Sequence, residues 1–130
     1  MKEYIGVVNG VICSVLCYLF GKIDIALKIL VLAMVFDYIT GMINAFIHKK
    51  LDSRIGLNGF FKKIIILIII SLAYQVDLLT NANDLIRNFV MYYYIANEGL
   101  SILENCSKMG VPIPNIIKNT LEQIREENDK

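Results

Sequence analysis

From Tyr4 to Gly21 the chain runs without a single charged residue, and no other feature restricts its folding more. A signal peptide core is about 7–15 residues long and ends at a small-residue cleavage pattern. This run is longer and ends Tyr18-Leu-Phe-Gly-Lys22, so it reads as a retained transmembrane helix even though Lys2 precedes it. A second apolar stretch, Ile29 to Ile47, is 19 residues long with Asp37 in its middle. At 1.5 Å per residue it matches a hydrocarbon core of about 30 Å. A third covers Ile64 to Thr80 and a fourth, with three consecutive tyrosines, runs from about Asn88 to Leu103. Composition agrees: 56% of the 130 residues are apolar and 19% charged, against about 45–50% and about 25% in soluble domains.

The connections carry turn chemistry. Asn81-Ala-Asn-Asp84 separates the third and fourth stretches and predicts a tight helical hairpin. His48 to Lys63 reads as a polar loop with Gly56 and Gly59 as breakers. Gly110, Pro112 and Pro114 end the fourth helix. Beyond them Asn115 reads as the N-cap of a short amphipathic helix, with Ile117, Leu121 and Ile124 on one stripe. The expected fold class is therefore all-α: an integral membrane bundle of four transmembrane helices, with three as the alternative, plus that short C-terminal helix. Residues 1–110 form the transmembrane domain and 111–130 a cytoplasmic tail.

Charge is informative only by position, because the formal net charge is +1, which points to no nucleic-acid partner. With four crossings, ten Lys and Arg residues fall on one side and three, Lys22, Lys28 and Arg87, on the other. The positive-inside rule puts the richer side in the cytoplasm. Lys49, Lys50, Arg54, Lys62 and Lys63 would then hold orientation and touch anionic headgroups. Cys13, Cys17, Cys106 and the single His48 have no metal-ligand spacing. Neither a phosphate-binding loop nor a nucleophile elbow is present, so neither a cofactor nor an enzymatic activity is expected.

The polar residues inside the apolar stretches are the exceptions to explain. An acid at a helix centre costs about 2.5–3.5 kcal/mol on insertion scales, so Asp37 should face protein or water, and Asp77 and Glu98 lie nearer the ends. Ala33, Asp37, Gly41 and Ala45 share one face and form a small-residue stripe. Gly6, Gly10 and Ser14 repeat that pattern on the first helix, and Asn97, Ser101 and Asn105 draw a polar one on the fourth. Such stripes either hold one subunit together or line a seam between copies, and both readings stay open at this point.

Asp37-Tyr-Ile-Thr-Gly41, Ser53-Arg-Ile-Gly-Leu-Asn-Gly59 with Lys62-Lys63, Asp77, and Tyr94-Ile-Ala-Asn-Glu-Gly-Leu-Ser-Ile-Leu-Glu-Asn105 running into Gly110-Val-Pro-Ile-Pro114 follow one another in an order that resembles the clostridial toxin-secretion and phage-lysis holin family. The resemblance covers nearly the whole chain. It implies a non-enzymatic protein of the bacterial inner membrane that oligomerises and opens lesions for a cell-wall hydrolase or a large toxin. Its partners would be copies of itself, membrane lipids, and a cargo that passes without specific binding. It also implies that Asp37 and Gly41 belong to an assembly face, and that Glu98, Ser101, Glu104 and Asn105 form a polar face on the last long helix. Family members are often drawn with three spans. The heavy use of Ile, Asn and Lys resembles proteins of AT-rich Gram-positive genomes. The alternative class is a small four-helix transporter or ion channel, whose key acid would lie in the first span, where this chain has none. A third reading, an inhibitory partner of another holin, would look the same in sequence.

Overall fold

The computed structural model describes residues 1–129. They form five α-helices: α1 Lys2–Phe20, α2 Ile25–Ile47, α3 Ser53–Thr80, α4 Leu85–Lys108 and α5 Asn115–Asp129. Successive helices reverse direction, so the Met1 end, the α2–α3 loop and the α4–α5 linker share one end of the bundle. That basic end carries Lys2, Lys49, Lys50, Arg54 and Lys108. The α1–α2 and α3–α4 turns share the opposite end.

Each connection follows from its residues. Gly21, at φ +84°, closes α1 in a backbone conformation that side chains disfavour, and the Tyr74 ring packs against it so closely that no Cβ would fit. Asp24 caps α2 by accepting from the Leu27 N–H at 3.1 Å. The predicted hairpin after α3 is present, with Asn81, Asn83 and Asp84 all in the left-handed region. Gly110 ends α4 at φ +85°, its N–H bonded to the Ser107 carbonyl at 3.0 Å.

The expected long polar loop is corrected. Only 48–52 separate α2 from α3, because the Asp52 side chain accepts from the Arg54 N–H at 2.9 Å and starts the helix early. Gly56 and Gly59 lie within α3, which supplies enough hydrogen bonds on either side to carry them. Lys62 and Lys63 are consequently helix residues rather than loop residues.

Among the described residues α1, α2 and α3 are long and apolar enough to cross a membrane. The expected fourth span, α4, has the length at 24 residues but not the apolarity, since Arg87, Glu98, Glu104 and Lys108 lie on it. It nevertheless packs along α2 and α3. The core of Phe20, Leu27, Leu30, Met34, Ile70 and Met91 sits between those three helices and the last turn of α1. The rest of α1 stands clear, and Gly6 and Gly10 meet nothing within 4 Å. α5 is longer than expected, and it folds back along α4.

Candidate functional site

Asp37 on α2, Lys63 on α3 and Glu98 on α4 each stand about ten residues from the basic end of their helix. At 1.5 Å per residue that is about 15 Å along the bundle from that end. The three meet there. Lys63 Nζ donates to Asp37 Oδ2 at 2.7 Å and to Glu98 Oε2 at 2.6 Å, with all three side chains largely buried. Asn105 Nδ2 reaches Asp37 Oδ1 at 3.1 Å and Thr40 Oγ1 at 3.0 Å. One ammonium thus serves two carboxylates, and the triad's formal charges leave one negative charge in excess.

The small residues of α2 explain the closeness. Gly41 faces Asn105, whose Nδ2 would lie 3.6 Å from a Cβ placed there, and Ala33 is buried. The stripe Ala33, Asp37, Gly41, Ala45 therefore looks into the subunit, towards α4. Beside it a cleft of about 240 Å³ runs from Lys50 and Asp52 at the basic end, past Gly56, Gly59 and Ser101, to Asp37 and Lys63. The cleft joins the triad to the basic end of the subunit.

A second cluster lies at the opposite end. Arg87 is fully buried. Its Nε donates to the Phe20 carbonyl at 2.6 Å, one terminal nitrogen to Asp24 Oδ2 at 2.9 Å, and the other to the Lys22 carbonyl at 2.9 Å. Burial alone would raise the Asp24 pKa, but the hydrogen bonds from Arg87 and the Leu27 N–H, with the Arg87 charge, hold it below the usual 3.8. Asp77, 2% exposed, accepts from the Ile86 and Arg87 N–H groups at 2.9 and 2.7 Å. It therefore caps the α4 N-terminus, where a carboxylate complements unpaired donors and the helix dipole.

Four of the predicted residues, Asp37, Gly41, Glu98 and Asn105, come together at the triad, and Ser101 lines the adjoining cleft. Asp77 is committed to the cap at the other end and presents no outward face. Asn97 is half-buried and stands outside the triad's hydrogen bonds. Of the basic set, Lys49, Lys50, Arg54 and Lys62 are exposed. Lys63 turns inward, because two carboxylates at its depth leave it no better-solvated partner. Sequence reasoning missed that pairing, and it missed Asp24 and Arg87. The signal for the triad emerges only once α3 is known to start at Ser53: two acids and one lysine then stand at equal distance from the helix ends on three successive antiparallel elements.

The profile of the bacteriophage holin family matches residues 14–126. The chain belongs to that family. A probable holin of Bacillus phage phi105 is 37% identical over 113 residues, covering 87% of this chain and 83% of the relative. An uncharacterised protein of Listeria innocua is 41% identical over 83% of this chain and 77% of its own length. An uncharacterised 14.9 kDa protein of Clostridium perfringens is 44% identical, covering 82% of both. No solved structure matches. Holins are non-enzymatic membrane proteins.

Proposed function

We propose that this holin-family chain permeabilises the bacterial cytoplasmic membrane by assembling copies of itself, so that a cell-wall hydrolase or a large toxin leaves the cell. The observation that carries the reading is the triad of Asp37, Lys63 and Glu98. A single subunit buries these three charged groups among α2, α3 and α4, and one carboxylate is left without a cation of its own. A dilute chain keeps these groups among α2, α3 and α4. A crowded one relieves the excess charge by opening those helices so that their polar faces meet water. Lys49, Lys50 and Arg54 at the basic end hold that end in the cytoplasm and contact anionic lipid. The cargo passes through the lesion without being bound.

The test is expression of the chain alone from an inducible promoter, with viability and release of a folded cytoplasmic reporter followed with and without a co-expressed cell-wall hydrolase. A delayed, abrupt loss of viability with reporter release in the presence of the hydrolase is the expected result. Tolerance to toxic cations with no protein released would instead identify a transporter.

A further inference from the structure

α5 is held differently from every other helix. Among the described residues its side-chain hydrogen bonds all stay within α5, as in Thr120 to the Ile116 carbonyl and Gln123 to Glu127. No residue of α5 is fully buried. What attaches it is a stripe of half-buried residues, Leu121, Glu122, Ile124, Arg125 and Asn128. Leu121 sits so close to Gly99 of α4 that a Cβ there would lie 2.9 Å from its Cδ1. By contrast α4 is tied to α2, α3 and the α1–α2 turn by the triad, by Asn105 and by Arg87.

The position of α5 also conflicts with lipid. It begins at the basic end, and by Ile124 to Asn128 it lies beside Tyr92, Ile95, Ile25 and Lys28 at the other end. It therefore covers the same depth as the spanning helices while carrying Lys118, Glu122, Arg125, Glu126, Glu127 and Asp129. Charges at that depth each cost kilocalories if lipid surrounds them. The linker separates α5 from α4 as an independent element: Gly110 at φ +85° is followed by Pro112 and Pro114, which cannot continue a helix.

We propose that α5 is an autoinhibitory cover. Lying on the Tyr92, Ile95 and Gly99 face of α4, it keeps the chain in its unassembled form, and permeabilisation requires it to leave. The uncovered Tyr92 and Ile95 surface is then taken by the same surface of a second copy. This rests on the permeabilising function proposed above.

The experiment locks the cover. In a chain with Cys13, Cys17 and Cys106 replaced by alanine, Gly99→Cys and Leu121→Cys are combined. The pair fits because the second substitution removes the Leu121 carbons that crowd position 99, and Leu121 Cγ, the place of a cysteine sulfur, is 3.6 Å from the Cβ at 99. The full chain is reconstituted into vesicles loaded with a folded reporter protein, and release is followed before and after a reductant is added. Release at least about tenfold slower in the oxidised form, restored by reduction and absent as an effect in either single-cysteine chain, is expected if a latch must open first. Equal release from oxidised and reduced protein overturns the cover while leaving the permeabilising function intact. No release from the reduced or cysteine-free chain overturns the function and the cover together.

Discussion

Lys63 is the residue whose role changes most between sequence and structure. As one of five basic residues near a loop it reads as an orientation signal, and its neighbour Lys62 remains exposed. One position further round α3, the Lys63 ammonium stands between Asp37 and Glu98. Buried ion pairs contribute little net stability, because desolvation offsets attraction, but removing one partner leaves charge stranded. Lys63→Met strands two carboxylates at once and should cost about 3–5 kcal/mol, seen as a lower unfolding temperature of the detergent-solubilised protein. Lys63→Arg, which keeps the charge, should recover most of the loss. Unchanged stability in Lys63→Met would mean that the triad does not hold the helices. Asp37 and Glu98 were legible beforehand because acids in apolar stretches are rare. Their partner was not, since a lysine near a helix start is indistinguishable in sequence from a loop lysine until the start of α3 is fixed by Asp52.

At the scale of elements, hydrophobic length and turn residues specified α1, α2, the α3–α4 hairpin and the stop after α4. The misjudged boundary was the start of α3, where two glycines outweighed a capping aspartate; α5 is the expected amphipathic helix, and its apolar stripe meets α4. The Arg87 cluster joins elements far apart in sequence, and spacing alone does not reveal it. It pins the α1–α2 turn to α4 through Asp24, whose pKa is lowered in the fold. A carboxyl whose pKa is lower folded than unfolded stabilises the fold above its unfolded value of about 3.9. That contribution fades as pH falls through this value towards the folded one. Asp24→Asn should therefore be less stable than the natural chain near neutral pH, and the gap should close as pH falls from about 6 to about 3. Parallel thermal unfolding of both proteins across that range checks it, and a gap independent of pH would sever Asp24 from the cluster's stability.

For the whole molecule, the apolar surface and the polar interior pull in different directions. Most large apolar side chains of α1, α2 and α3 point outward, as lipid-facing helices require, while Asp37, Lys63 and Glu98 of α2, α3 and α4 point at one another. Insertion is driven by the first property, and the second stores the polar surface that an assembled, water-filled lesion would use. On the function proposed above, the triad's excess negative charge makes the closed subunit yield to assembly. Asp37→Leu tests it most directly, because Lys63 still pairs with Glu98 and the remaining pair is neutral. Asp37→Leu is expected to accumulate in the membrane to the natural level yet release no cytoplasmic reporter when the natural chain does. Release on the natural schedule from Asp37→Leu would contradict it.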